Sequence, residues 1–213
     1  MRPLVTVVDY GRSNLLSVRR ALEHCGADVC FGTQPGDILR ARALVLPGVG
    51  AFADGMARLR SQRLVEPLLQ KAGEGTPLLG ICLGMQMLLD SSTEGGFTRG
   101  LGLVEGTVSP LPETAADGAP LKVPHIGWSP LRLASGTERG LLKNTRNGDE
   151  VYFVHSFQAL PRRGEDCAAT VEYGGHTVCA AVQRQNVTGF QFHPEKSGPA
   201  GLAMLRAFVE SLG

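Results

Sequence analysis

Gly80-Ile81-Cys82-Leu83-Gly84 stands between a continuous apolar run and a second segment of helical character. A cysteine framed by two glycines at a strand-to-helix junction is the thiol counterpart of the G-x-S-x-G nucleophile elbow. The glycines allow a sharp turn, which pushes the central side chain out at the carboxyl end of the strand. The next helix points its first N–H groups at the sulfur and favours thiolate over thiol. The N–H of Leu83 offers one oxyanion donor. A thiolate nucleophile needs a base and a group that orients the base. In Phe190-Gln191-Phe192-His193-Pro194-Glu195-Lys196, His193 supplies the imidazole. Glu195 supplies a carboxylate on the same side of an extended segment, with Pro194 fixing φ between them. Each motif also has a plainer reading. The cysteine fits a small core residue in a tight turn, and the histidine fits a strand end beside a surface glutamate.

A second glycine loop, Pro47-Gly48-Val49-Gly50-Ala51-Phe52-Ala53, loosely matches the G-x-G-x-x-A of dinucleotide binders. It does not follow the first strand, and no acidic residue closes the next one. A better use is a second set of backbone N–H groups facing Cys82, because neighbouring strands of an open α/β sheet bring their carboxyl-end loops together. Of the other histidines, His24 suits a helix C-terminus, His125 a positioned loop, His155 a ligand-lining strand and His176 a turn. There is no Walker-type phosphate loop. No cysteine follows His193, which removes the zinc-deaminase pattern. Neither a metal nor a cofactor is expected.

These groups need a scaffold, and the first half of the chain reads as alternating strand and helix. Strands are expected at Leu4 to Val8, Asp28 to Phe31, Ala43 to Leu46 and Thr76 to Ile81. The last is a continuous apolar run of the kind buried on both faces of a parallel sheet. Leu15, Val18, Leu22 and Cys25 recur at helical spacing, capped by Ser13 or Asn14 and ended by Gly26. Phe52, Met56 and Leu59 mark a second helix. Leu64, Leu68 and Ala72 mark a third, with Pro67 in its first turn or at a kink, and Leu83 to Leu89 a fourth. From Leu101 short β-like runs follow: Gly102 to Val108, Ile126 to Leu133, Val151 to Phe157, Ala168 to Tyr173, Val178 to Gln183 and Val187 to Phe192. Glu113 to Ala119 and Asn144 to Asp149 read as loops. A final helix carries Leu202, Leu205, Val209 and Leu212. The expectation is one α/β domain over residues 1–213, with a mainly parallel central sheet and a mixed extension.

Composition narrows the function classes. The 213 residues include 21 Lys and Arg against 20 Asp and Glu, a formal balance of +1. That argues against nucleic acid held by bulk charge. Hydrophobic residues make up 43% and charged residues 19%, enough for a packed core. The longest apolar stretch, Pro77 to Leu89, is too short to span a bilayer, and the N-terminal run is too short for a signal peptide. The five cysteines, at 25, 30, 82, 167 and 179, form no Cys-x-x-Cys pair. A reducing cytoplasmic location is the default, which leaves the triplet Asn186-Val187-Thr188 a chance glycosylation match.

Taken together, Gly80-Ile81-Cys82-Leu83-Gly84-Met85-Gln86 and the Cys…His-Pro-Glu order resemble the class I, triad-type glutamine amidotransferases, whose fold is a flavodoxin-like three-layer α/β sandwich. Within that family, further segments resemble the glutaminase subunits of imidazole glycerol phosphate synthase. They are Asp9-Tyr10-Gly11-Arg12-Ser13-Asn14-Leu15, Leu46-Pro47-Gly48-Val49-Gly50-Ala51-Phe52, Pro124-His125-Ile126-Gly127-Trp128, Tyr152-Phe153-Val154-His155-Ser156-Phe157 and His193-Pro194-Glu195-Lys196-Ser197. The resemblance implies that Cys82 attacks the side-chain amide of glutamine, that His193 moves the protons and that Glu195 orients His193. It implies an oxyanion site at Val49, Gly50 and Leu83. Gln86, Glu94, Ser156 and Phe157 would border the substrate, with Glu94 anchoring its α-ammonium group. It also implies a separate (β/α)8 cyclase partner, docked near Tyr10, Asn14, Tyr152 and Lys196, that takes up the ammonia. Ser13 departs from the glycine common there.

Three other readings compete. Relatives that serve anthranilate or aminodeoxychorismate synthesis usually carry histidine where Met85 stands. A Cys-His hydrolase of peptides or γ-glutamyl bonds would need no partner. A non-catalytic module would be expected to have lost its thiol.

Overall fold

The computed structural model describes residues 2–11, 14–136 and 140–213. Its first half alternates as the spacing of apolar residues requires: β1 (Leu4–Val8), α1 (Leu15–His24), β2 (Asp28–Gly32), α2 (Pro35–Arg40), β3 (Leu44–Gly48), α3 (Phe52–Ser61), α4 (Val65–Gly73) and β4 (Leu78–Cys82). Strand side chains alternate faces, and β1 shows the result. Val5 and Val7 enter one core, with Val18 and Leu22 of α1, while Val8 enters another, with Ile38, Met56, Leu59 and Leu68 of α2 to α4. Two cores, one on each side of a sheet, make three layers.

After β4 come α5 (Leu83–Met87), β5 (Leu89–Ser92), β6 (Thr98–Arg99), β7 (Val104–Pro110), β8 (His125–Pro130), β9 (Arg132–Leu133), β10 (Glu150–His155), β11 (Phe157–Pro161), β12 (Cys167–Tyr173), β13 (His176–Arg184), β14 (Val187–Phe190) and α6 (Gly198–Glu210). The central sheet runs β2-β1-β3-β4-β14-β13-β12-β9. Its first five strands are parallel and the last three pairings antiparallel, the mixed extension expected. Strands β11-β7-β5-β6 form a small second sheet, and β8 and β10 pair as a separate antiparallel ribbon.

Several expectations shift. The helix read over Leu83 to Leu89 stops at Met87, and Leu89 opens β5, because the segment is apolar throughout and carries no stop signal of its own. Val151 to Phe157 is two strands in different sheets, divided at Ser156. Ile126 to Leu133 is likewise two, divided at Leu131 after Pro130. His125 lies in β8 rather than in a loop. His176 opens β13 rather than sitting in the turn, which Gly174 and Gly175 make at φ 58° and 75°. Helix α2 has no sequence-level expectation: six residues are too few for a helical period, and its start is held by the Asp37 carboxylate accepting from the Gln34 N–H at 3.0 Å. Asn14 precedes α1 without a side-chain capping bond, and Ser13 lies outside the described residues. Pro67 sits in the first turn of α4, where its missing N–H costs nothing. Among the described residues, no helix is long and apolar enough to cross a membrane.

One contact fixes the junction after β4. A Cβ on Gly84 would stand 1.7 Å from the carbonyl oxygen of Leu46 on β3. Alanine there must push α5 away from the sheet, so Gly84→Ala should lose about 3 kcal/mol or more of stability in urea titration. Gly73→Ala, whose added methyl meets nothing within 4 Å, should stay within about 1 kcal/mol of the parent.

Candidate active site

Cys82 is the last residue of β4 and turns at φ 54°, ψ −112°. A non-glycine residue rarely adopts positive φ, and the conformation is held only where the surroundings over-determine it. Here they do. Gly84 lies against β3, and a Cβ on Gly80 would meet the backbone nitrogen of Met85 at 2.8 Å. The two glycines therefore let α5 fold back onto the sheet, and Cys82 alone is left to turn outward. With five residues, α5 offers the sulfur first-turn N–H groups rather than a long aligned dipole.

His193 follows β14, the parallel neighbour of β4. Its backbone N–H donates to the carbonyl of Tyr152 at 3.0 Å. Its Nδ1 meets Glu195 Oε1 at 2.9 Å, with the two side chains 4% and 1% exposed. Glu195 reaches it from a single 3₁₀ turn, Pro194–Lys196, not from the extended segment expected. Among the described residues, His193 Nε2 and Glu195 Oε2 are buried without hydrogen-bond partners. Burial alone pulls the imidazole pKa down. The sulfur of Cys82 and the carboxylate of Glu195 overrule it and push the value up to about 9.

The remaining expected residues divide into two groups. Val49, Gly50, Cys82, Leu83, Gln86, Glu94, Ser156, Phe157 and His193 line one cavity of about 340 Å³, with Pro124, Val154 and His155 completing its wall. Gly50 turns at φ 96°. Glu94 Oε2 accepts from the Phe52 N–H at 2.7 Å, which caps α3 as well as lining the cavity. Gln86 donates to the Phe157 carbonyl at 3.1 Å and to Gln191 Oε1 at 3.0 Å.

The four residues assigned to a docking face are placed differently. Lys196 is exposed and Tyr152 half-buried. Asn14 is half-buried beside His193 and Glu195 in a narrow crevice. Tyr10 is a correction: its side chain is fully buried, so it presents no surface to a partner. Its ring packs in the core with Leu46 and Phe52. Burial, helped by the charge of Cys82, pushes its phenol pKa up.

Sequence reading missed the exposed face of the β8–β10 ribbon. Ile126 and Trp128 stand opposite Val154 and Tyr152, and Ile126, Trp128 and Val154 are 55%, 52% and 36% exposed. Gln191 was also missed, although its place two residues before His193 was a usable signal.

A comparison with protein families matches residues 6–212 to the class I glutamine amidotransferases. The chain belongs to that family. Family members known at the sequence level include "Imidazole glycerol phosphate synthase subunit HisH 1" of Legionella pneumophila (strain Lens), 46% identical over 97% of this chain and 98% of that protein. Another is the HisH subunit of Moorella thermoacetica, 45% identical over 99% of this chain and 95% of that one. Among solved structures, that of PurLQS from Thermotoga maritima superposes with a TM-score of 0.74 over 99% of both chains at 19% identity. A structure described as a glutamine amidotransferase does so at 0.71 over 98% of both. At such identities the structures speak for the fold. This amidotransferase carries Cys82 and His193 where two parallel neighbours, β4 and β14, end.

The pair His193–Glu195 makes a measurable claim. An imidazole raised from 6.5 to about 9 keeps its proton, and the stability that comes with it, through neutral pH, and loses both as pH rises through 9. A nitrogen-15 titration of His193 should show its midpoint near 9. Glu195→Gln should lower it by about one unit or more.

Proposed function

We propose that this chain is the glutaminase half of an imidazole glycerol phosphate synthase. In this reading it hydrolyses glutamine through a thioester on Cys82 and hands ammonia to a separate (β/α)8 cyclase, which makes imidazole glycerol phosphate and aminoimidazole carboxamide ribotide for histidine biosynthesis. The whole chain, residues 1–213, serves as one amidotransferase domain in the cytoplasm. The observation that carries the reading is that Cys82 and His193 line one cavity, with Glu195 bonded to the far side of His193, in a chain about 45% identical over nearly its whole length to named subunits of that synthase.

In this reading each residue takes one part in the reaction. Glutamine enters with its α-ammonium group toward Glu94 and Gln86 and its amide toward Cys82. The Cys82 sulfur attacks the amide carbon, and the oxygen of that carbon takes up negative charge facing the backbone at Val49, Gly50 and Leu83. His193, protonated at neutral pH, gives its proton to the departing nitrogen, and ammonia leaves the thioester behind. Neutral His193 then takes a proton from water as it attacks the thioester. Glutamate departs, and the Cys82 thiolate beside protonated His193 is restored. Glu195 holds Nδ1 throughout, so Nε2 is the nitrogen that exchanges protons.

In this reading the partner docks on the ribbon. Ile126, Trp128, Tyr152 and Val154 form a contiguous apolar patch, and Val154 also lines the cavity. Such a patch beside a catalytic cavity fits a protein partner better than water. The exposed Val49 lines the same cavity as Val154, and Asn14 shares a crevice with Val49.

Three outcomes are expected. Glutamine hydrolysis should be slow for the lone chain and strongly stimulated by the cyclase with its ligand bound. Cys82→Ala should abolish glutamine-dependent synthesis and leave synthesis from added ammonium intact. Loss of both activities would mean the acceptor site is not separate. In a titration calorimeter, Trp128→Ala should weaken binding to the cyclase by about tenfold or more, as expected of a central aromatic anchor. An unchanged affinity would remove the ribbon from the interface.

A further inference from the structure

The inner face of the same ribbon carries polar groups that the mechanism above does not use. His125 and Ser129 of β8 and His155 of β10 are 2%, 8% and 6% exposed, directly beneath Ile126, Trp128 and Val154. His155 Nδ1 lies 2.8 Å from the Phe157 carbonyl, and its Nε2 lies 3.1 Å from His125 Nδ1. His125 Nε2 lies 2.9 Å from Ser129 Oγ. Desolvation drops both imidazole pKa values to about 4, so both rings are neutral at pH 7.

Neutral rings make the direction of every bond determinate. The Phe157 carbonyl can only accept, so His155 carries its hydrogen on Nδ1 and offers a bare Nε2. His125 must then donate from Nδ1 and accept at Nε2 from the Ser129 hydroxyl. The Phe157 carbonyl takes a second hydrogen bond from Gln86, whose other hydrogen goes to Gln191 Oε1. Gln86 Nε2 has two hydrogens and both are committed, which leaves only its carbonyl to face a ligand. Gln191 is fully buried. With its carbonyl taken by Gln86, its amide nitrogen faces Cys82 Sγ at 3.8 Å.

We propose that Ser129, His125, His155, Gln86 and Gln191 form one hydrogen-bond network, its two arms meeting at the Phe157 carbonyl that accepts from both His155 and Gln86, and that this network positions an N–H donor on the Cys82 sulfur from the underside of the ribbon. Gln191 acts on the sulfur directly. The two histidines are positioning residues: they set the Phe157 carbonyl, which sets the amide plane of Gln86 and hence of Gln191. His125 is itself clamped, stacked on Phe153 at 4.8 Å and on Tyr173 at 4.0 Å between ring centroids. A shift of the ribbon therefore moves the ring and its hydrogen bonds together. The inference rests on Cys82 being the nucleophile, but its test needs neither glutamine nor a cyclase. A failure of the network is thus distinguishable from a failure of the proposed function.

The test uses the full-length protein in two measurements. Nitrogen-15 spectra at pH 7 should show both His125 and His155 as neutral Nδ1–H tautomers. Either ring in the Nε2–H form overturns the proposal without any substitution being made. The second measurement follows carbamidomethylation of Cys82 by iodoacetamide, read by mass spectrometry of its peptide so that the other four cysteines do not interfere. Gln191→Leu should slow it by about tenfold at pH 7, the lower end for a hydrogen bond to a charged group. His125→Phe keeps an aromatic ring in the stack and removes the donor. It should slow the same reaction by roughly threefold, as coupled neighbours do. Unfolding in the same urea range as the parent would establish that it folds. A parental rate in either folded variant overturns the network. If His125→Phe does not fold, Ser129→Ala and the parental spectra decide the matter.

Discussion

The approach of the Gly84 backbone to the Leu46 carbonyl governs the rest of the molecule. A sheet edge is ordinarily a place where backbone groups end and loops leave. Here the chain reverses onto its own sheet within two residues, and no side chain fits between. That reversal holds Cys82 at positive φ, sends the sulfur outward, and leaves the first N–H groups of α5 beside it. Parallel pairing on both sides of β4 then brings the two necessary neighbours to the same edge. β3 delivers Gly48 opposite Cys82, with Val49 and Gly50 just beyond, and β14 delivers His193. The catalytic arrangement is thus a consequence of strand order as much as of the motif.

The site also separates residues of one type by environment. His193, His125 and His155 are all buried. A carboxylate and a sulfur surround His193, and its proton is retained well above neutrality. Carbonyl, hydroxyl and imidazole partners surround the other two, and burial strips their protons. Proton transfer needs the first condition and a rigid hydrogen-bond network needs the second. A protonated His125 or His155 would have no acceptor to spare for its neighbour.

Much of this was legible in the sequence because the relevant signals are local. The elbow is five consecutive residues, the His-x-Glu pair is three, and the parallel strands are continuous apolar runs. The early helices announced themselves by apolar steps of three and four. What escaped was set by pairing rather than by pattern. Val151 to Phe157 reads as one apolar run, and only the partners of its two halves, β8 and β7, show that it crosses between sheets at Ser156. Alternation along β8 and β10 encodes which side chains face outward, but only their register makes Ile126, Trp128, Tyr152 and Val154 a single patch. Tyr10 was misplaced for a related reason: its motif lies at a sheet edge, while the ring itself packs inward with Leu46 and Phe52. Gln191 was hidden in plain view, because a glutamine in an apolar strand announces a buried hydrogen bond without naming its partner.

The distribution of burial across the machinery explains why hydrolysis should depend on a partner. Cys82, Gln86, His193 and the Glu195 carboxylate are enclosed, with Glu195 bonded to His193 and Gln191 bridging Gln86 to Cys82. The loop proposed above to face the oxyanion differs, since Val49 is 42% exposed and a Cβ on Gly50 would touch nothing. On the proposed roles, Cys82 and His193 are set by the protein's own core, whereas the Val49–Gly50 loop stands at the rim of the cavity that Val154 of the ribbon also lines. Coupling hydrolysis to docking at this point leaves the reactive pair undisturbed and alters only the stabilisation of charge, which arises in the transition state and is absent from the bound substrate. It follows that docking should act on turnover more than on the affinity for glutamine.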